Sequence, residues 1–287
     1  MVGPPRGIAL TGASGRLGHV IGNHLDASGW PVRRLGRAMG FDLAMEDFRP
    51  FLQGCQGLVH TAFAHVPGFY RGGEGDDPER FWELNFISTL RLLDQAREMG
   101  VRRVILFSSR AVYGAAQGFN GQSIDETTVA KPDSHYGLLK LSTETLGALY
   151  TDAGMAVTVL RATGIYGGPP KLNKWTSLFQ AALQGQAPKI NRMATEVHGL
   201  SVAKAVVLAL ECQDQARVSG VFNLSEVCVT TAQILNFAGF DTISLPPVRP
   251  MQGPILSAKR LQALGLKLEG LDALAQAAKD LRAALET

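Results

Sequence analysis

Thr11-Gly12-Ala13-Ser14-Gly15-Arg16-Leu17-Gly18 is the stretch on which the fold turns. The residues before it, Gly7 to Thr11, read as a short buried strand, and those after it, Leu17 to Ser28, as a helix stopped by Gly29. Glycines at 12, 15 and 18 let a backbone turn tightly and come close to a pyrophosphate. The free N–H groups at the helix start attract its negative charge. A plain packed turn would also tolerate glycine, which occurs 32 times in this chain. The position at the first strand-to-helix junction favours the phosphate cradle.

Outward from this turn the same alternation repeats. Strands are expected over Pro31–Leu35, Gly57–Ala62, Val104–Ser108 and Ala156–Arg161, and helices over Phe48–Gly54, Pro78–Met99 and Tyr136–Asp152. Strands separated by helices imply a mostly parallel sheet covered on both faces. After Tyr166 the run Gly167-Gly168-Pro169-Pro170 breaks the pattern. Helices over Trp175–Gln184 and Val202–Leu210, a strand over Val221–Leu224 and a helical tail over Ala258–Leu285 follow. The expectation is therefore an α/β, Rossmann-type doubly wound sheet over residues 1–166. A smaller mixed substrate lobe follows over 167–287, sharing sheet and helices with the first because no clean linker divides them. The crevice between them is the natural ligand site.

Bulk properties remove several classes. The 287 residues are 46% apolar and 18% charged, with a formal charge of +3, which is ordinary globular composition. Lys and Arg are scattered rather than gathered in a stripe, so nucleic-acid binding is not expected. Cys55, Cys212 and Cys228 form no close pair, so neither a zinc knuckle nor a redox pair is read, and no metal is expected. The start of the chain lacks a basic patch followed by a long apolar core, and no run of 18 apolar residues occurs. A cytoplasmic protein without a membrane span is the expectation.

At the end of the second strand, a carboxylate usually grips the adenosine ribose. Here Gly36-Arg37 stands there, with Arg33 and Arg34 just before. Guanidinium groups bind a 2′-phosphate that a carboxylate would repel, so NADP is slightly favoured over NAD. Surface solvation is the competing reading of these arginines, and Arg16 can serve either phosphate. Tyr136 and Lys140 lie four apart on one helix face. A phenol with a pKa near 10 is a poor proton acceptor at neutral pH unless a cation favours its phenolate. Ser109 ends an apolar strand and can donate to a substrate oxygen. Alone, the pair is equally compatible with packing and a solvated lysine.

Together these segments resemble the extended short-chain dehydrogenase/reductase family, the group of the NAD-dependent epimerases and dehydratases. Thr11 to Gly18 resembles its TGxxGxxG loop, with Gly12, Ser14, Gly15, Arg16, Leu17 and Gly18 at the cofactor, joined by Arg37. Asp42-Leu43 resembles the adenine-contacting aspartate and its neighbour. His60-Thr61-Ala62-Phe63 resembles the H-x-A-A stretch, which places Thr61, Ala62 and Phe63 along the cofactor. Asn85 stands where an asparagine supports the active-site lysine. Phe107 to Gly114 resembles SSxxVYG, and Ser134 to Lys140, with Glu144, resembles the YxxxK helix. Leu160 to Gly167 is similar to LRxxxxYG. Glu196-Val197-His198 to Ala203 is similar to V-H-V-x-D-V-A, with Ser201 in place of the aspartate. Ser257 to Gly265 resembles the closing S-K-A-x-x-x-L-G.

The resemblance implies alcohol–carbonyl chemistry with Ser109, Tyr136 and Lys140 catalytic, the last two also touching the cofactor. Arg110, Tyr166, Trp175 and Arg249 are implied at the substrate, and Arg192 is a weaker second phosphate clamp. Dehydratases place Asp and Glu directly after the catalytic residue, where this chain has Arg110 and Ala111. Three readings follow. One is an NAD(P)-dependent oxidoreductase acting on a sugar or sugar-like alcohol. The second is a nucleotide-sugar 4-epimerase with retained NAD, which the short C-terminal part makes less favoured. The third is a non-catalytic dinucleotide-binding regulator. The resemblance also implies a homodimer joined through the helices over 81–99 and 136–152.

Overall fold

Ile8, Ala9 and Leu10 have no exposed surface, and alternation sends them to different sides. Ile8 and Leu10 enter one apolar cluster and Ala9 the other. The same division recurs at Leu58 and Val59, at Val104 and Ile105, and at Val159 and Leu160. Strands buried on both faces in this way belong to a parallel sheet clad by helices.

The computed structural model describes residues 7–66, 72–115, 123–240, 245–249 and 255–287. In chain order its elements begin with β1 (Gly7–Thr11), α1 (Arg16–Ala27), β2 (Val32–Leu35), α2 (Arg49–Leu52), β3 (Cys55–His60), α3 (Pro78–Trp82) and α4 (Ser88–Glu98). Next come β4 (Arg103–Ser109), β5 (Ser123–Ile124), α5 (His135–Asp152), β6 (Ala156–Ala162), β7 (Gly164–Tyr166), α6 (Thr176–Leu183) and β8 (Asn191–His198). Then follow α7 (Gly199–Glu211), α8 (Gln215–Val218), β9 (Gly220–Leu224), β10 (Val227–Thr230) and α9 (Thr231–Phe237). Last are β11 (Val248–Arg249), β12 (Ile255–Leu256), α10 (Lys259–Ala263) and α11 (Gly270–Glu286).

Six parallel strands form the main sheet in the order β2-β1-β3-β4-β6-β9. The chain leaves β1 in one direction to β2 and in the other to β3, so their outgoing loops part and open a crevice at the strand ends. Helices α1 and α7 cover one face through Ile21, Leu25, Val202 and Val206. Helices α4 and α5 cover the other through Leu92, Leu93, Ala96, Leu146 and Tyr150. The expected Rossmann-type doubly wound sheet is present. Strand β9 and helix α7, though late in the sequence, belong to this first body.

A second sheet, β10-β8-β11 with β7 on β8, carries its own core of Tyr166, Trp175, Phe179, Leu235, Leu274 and Ala278. It forms the smaller mixed lobe. Two local differences from the sequence reading have physical causes. The helix expected over 78–99 contains a π-turn at Glu83–Ile87, held by side-chain bonds of Asn85 described below. Strand β8 lies where the sequence reading assigns no element; it is a strand because β7, β10 and β11 all pair with it.

Candidate active site

The glycine turn is set by contact with the end of β3. Gly12 has φ +66, and a Cβ there would stand 2.6 Å from the Ala62 nitrogen and 2.8 Å from the Thr61 carbonyl carbon. A side chain is thus excluded both by conformation and by space. Gly18 lets α1 lie against the Gly12 carbonyl. Ser14 and Gly15 are exposed at the tip, and no side chain caps the first turn of α1. Its amides are therefore open to an anion, the arrangement a dinucleotide pyrophosphate requires. Arg16 is the first residue of α1, and its Nε donates to the Leu172 carbonyl of the second lobe. Leu17 packs into the core beneath.

Thr11 ties this turn to β3. Its hydroxyl accepts from the Thr61 and Ala62 amides, both at 3.2 Å, so its own proton goes to His60 Nδ1 at 2.7 Å. His60 Nε2 then donates to Thr89 Oγ1 at 3.1 Å, which donates to the Asn85 carbonyl at 2.6 Å. Burial, helped by the Lys140 charge, pushes the His60 pKa down to about 3. This histidine is a neutral strut.

At the adenosine end the three arginines part company. Arg33 donates to the Phe51 carbonyl at 2.9 Å. Arg34 pairs with Asp26 at 2.5 Å and Asn23 at 3.0 Å, outside the crevice. Arg37 is exposed beyond Gly36, which lies beside the Ser14 hydroxyl. Asp42 is exposed, with Oδ1 accepting from the Ala44 amide at 2.8 Å. Leu43 is buried and its carbonyl accepts from Ser88.

At the reactive end, Ser109 closes β4 and caps the short 3₁₀ turn Arg110–Tyr113, accepting from the Ala111 amide at 3.2 Å. The start of α5 presses directly on this turn. A Cβ at Gly137 would stand 2.6 Å from the Ala111 carbonyl oxygen, so the glycine after Tyr136 brings the tyrosine's helix onto the turn that follows Ser109. One turn along, Lys140 Nζ donates to the Phe107 carbonyl at 2.8 Å. It lies 5.7 Å from the Tyr136 ring centre and 4.2 Å from that of Phe63. Burial lowers the Lys140 pKa to about 7, opposed by Glu144.

Below these groups a buried network fixes α5 to the sheet. Glu144 takes two bonds from Arg161, at 2.8 and 2.6 Å, and one from Ser108. Arg161 also donates to Tyr113 Oη at 2.5 Å, which in turn donates to Asn223 at 3.1 Å. Asn85, expected to support Lys140, spends its polar atoms elsewhere. Its amide bonds both the N–H and the carbonyl of Ala64 at 2.8 Å, and the Phe81 carbonyl at 2.8 Å. Its support of the site therefore acts through the loop after β3.

On the substrate side, Arg110 is half-buried directly after Ser109. The structure places Tyr166 and Trp175 differently from expectation. They stack at 4.9 Å inside the second lobe's core, with Trp175 only 4% exposed, so they pack rather than line an open wall. Arg249 pairs in register with Arg192, and its side chain lies outside the described residues. The sequence reading missed Lys174, whose ammonium pairs with the buried Glu196 carboxylate. Glu196 is in register with Gly164 on β7, and the Lys174 pKa is lowered by burial and by nearby Arg192 and Arg16. It also missed Glu226, which accepts from the His198 amide at 2.8 Å, from Ser201 at 3.2 Å and from the Gly270 amide. The carboxylate that Ser201 lacks is supplied from the link between β9 and β10. Among the described residues no His, Cys, Asp and Glu group has the arrangement of a metal site. No described helix is long and apolar enough to cross a membrane.

Comparison with known proteins agrees with this geometry. UDP-glucose 4-epimerase of Corynebacterium glutamicum is 30% identical over 191 residues, 60% of this chain and 56% of that protein. A sterol-4-alpha-carboxylate 3-dehydrogenase, decarboxylating, of Bos taurus is 27% identical over 190 residues, 62% of this chain and 51% of that one. The chain thus matches about half the length of these curated relatives. The solved UDP-glucuronic acid 4-epimerase of Bacillus cereus, in complex with UDP-glucuronic acid and NAD, superposes with a TM-score of 0.78. It is 19% identical, with 97% of this chain and 98% of that one covered, a likeness of fold. The model of the NAD dependent epimerase/dehydratase family matches residues 8–225, from the first residues of β1 to just past β9, and the chain belongs to that family.

Proposed function

We propose that this protein is an NAD-dependent enzyme of alcohol–carbonyl chemistry on a sugar nucleotide, working as an epimerase. The observation that carries the reading is the convergence of the uncapped α1 turn, Ser109, Tyr136 and a Lys140 fastened to the Phe107 carbonyl. NAD fits the cradle at Gly12 and supplies hydride acceptance and return. Tyr136 takes the sugar hydroxyl proton as the carbonyl forms and gives it back afterwards, while Ser109 donates to the same oxygen. Lys140 favours the phenolate and holds ribose hydroxyls. Arg16 and Arg192 stand near the Lys174–Glu196 pair and add positive charge there, which suits an anionic substrate. NAD replaces NADP as the proposed cofactor because Arg33 and Arg34 are committed to the fold, leaving Arg37 alone for a 2′-phosphate. The likeness to an epimerase solved with NAD adds support.

Incubation with UDP-glucose or UDP-glucuronic acid, followed by chromatography of the sugar, tests this. The expected result is a 4-epimer without accumulation of free NADH. Tyr136→Phe is expected to lower turnover by about a thousandfold. NADH released in proportion to product would favour the dehydrogenase reading, for which the sterol dehydrogenase relative speaks. Indifference to Tyr136→Phe would favour a binding protein without chemistry. A homodimer through α4 and α5 belongs to this proposal, because Ile87 in the π-turn that leads into α4 and Leu138 and Leu149 on α5 are exposed. Light scattering should give twice the chain mass, and Ile87→Glu should return the monomer.

A further inference from the structure

Phe63 sits where the family pattern has a small residue, and its surroundings are unusually well defined. The Thr11 hydroxyl holds the two amides before it, of Thr61 and Ala62. Asn85 holds the N–H and carbonyl of Ala64 directly after it. Its ring meets Phe81 edge-on at 5.7 Å and Tyr136 edge-on at 5.5 Å. The ring is thus clamped on both sides in the chain and wedged among three aromatic neighbours, the third being His65 at 5.8 Å. Its remaining face covers the Lys140 ammonium at 4.2 Å, well within cation–π range.

We infer that Phe63 is a positioning residue for Lys140: its ring face and the Phe107 carbonyl together hold the ammonium at the depth from which its charge acts on Tyr136. The inference rests on the reading of Tyr136 as the proton-transfer group. Beside the ammonium lies a narrow space of about 30 Å³ lined by His60, Asn85, Thr89, Phe107 and Thr143. That space has room for one or two waters, so few solvent molecules reach the charge from that side. Burial already brings Lys140 to a pKa of about 7, and at that point a partner that favours the charged form decides how much charge Tyr136 feels. The other groups around it are accounted for. Glu144, one turn on, favours the ammonium and is itself bound to Arg161. His60 on β3 is neutral, His65 lies beyond Phe63, and His135 accepts from the Trp82 indole at 3.2 Å.

The test needs no substrate, so its failure is distinct from failure of the sugar-nucleotide reading. Tyrosinate absorbance is titrated in the folded, NAD-loaded protein, and the Tyr136 step is isolated by subtracting the same titration of the Tyr136→Phe counterpart. Phe63→Leu keeps apolar bulk but removes the π face, and Phe63→Met provides a second such variant should the first be too unstable to titrate. Both are expected to move the Tyr136 step upward by about half to one pH unit. Phe63→Trp, which keeps a π face, should leave the step close to that of the unsubstituted protein. An unmoved step in folded Phe63→Leu or Phe63→Met overturns the inference. So does a Tyr136 step near the free phenol value of about 10 before any substitution. Loss of NAD affinity with an unmoved step would make Phe63 part of the cofactor wall instead, again overturning it.

Discussion

Both lobes bury a glutamate against a cation, with different completeness. In the first, the Glu144 carboxylate receives Arg161 through two bonds and Ser108 through a third, and Arg161 continues to Tyr113 and Asn223. In the second, Glu196 receives Lys174, while the nearby hydroxyls of Tyr166 and Thr195 are buried without a hydrogen-bond partner. A fully satisfied network rigidifies its surroundings, whereas a partly satisfied one leaves free energy for another arrangement to recover. The first lobe is built as a fixed platform beneath Ser109, Tyr136 and Lys140. The second keeps buried hydroxyls that its present packing leaves unsatisfied.

The comparison can be broken by mutation. Arg161→Met strands Glu144 in a site where neither residue is more than a few per cent exposed, and should cost about 3–5 kcal/mol in urea unfolding. Lys174→Met strands Glu196, but Lys174 keeps 15% of its side chain in solvent, so water can reach the vacated position and the cost should be about 2 kcal/mol. Lys174→Met with Glu196→Met should recover most of that loss. Equal costs for the two single variants would mean that the lobes handle charge alike.

Acid sharpens the same contrast, because the neutral His60 strut belongs to the first lobe. An unfolded chain protonates this histidine near pH 6.5, while the folded protein refuses the proton down to about 3. Between those values the unfolded state binds one more proton, so stability falls as pH drops, by about 1.4 kcal/mol per unit from this group. Urea midpoints measured from pH 6.5 downward should show this slope, and His60→Gln should flatten it. An unchanged slope would mean that the strut is already charged. The smallest expected effect concerns the edge of the platform. Arg37→Ala should weaken NADP about five- to tenfold by fluorescence titration and leave NAD within about twofold, since the other two arginines already have partners.

What was legible in the sequence follows from the range of the interactions. The β1 turn shows itself because Gly12 is demanded by a backbone conformation, and β4 because both its faces are buried. Tyr136 and Lys140 show themselves because a helix brings residues four apart onto one face. The contacts that were illegible join distant stretches. Glu226 replaces the carboxylate missing at Ser201 from 25 residues away. Polar β8 becomes a strand through neighbours at 164–166, 227–230 and 248–249. Tyr166 and Trp175 look alike whether they stack on a sugar or on each other, and only packing against Phe179 and Leu274 decides it. The Phe63 contact escapes for the same reason, since a motif marks a position and not the direction of its ring.

The π-turn at Glu83–Ile87 can also be viewed as an insertion. A π-turn holds one residue more than an α-helical turn needs, so α3 and α4 form one rod in which the second half is rotated relative to the first. Asn85 points inward to grip Ala64, while Ile87, two positions later, is 43% exposed. Excising a single residue between 83 and 87 would straighten the rod at little cost to helical hydrogen bonding. It would also turn one half by about 100 degrees against the other, so that the grip on the loop carrying Phe63 and the outward face with Ile87 would no longer coexist. The spare residue is what allows one helix to serve two surfaces.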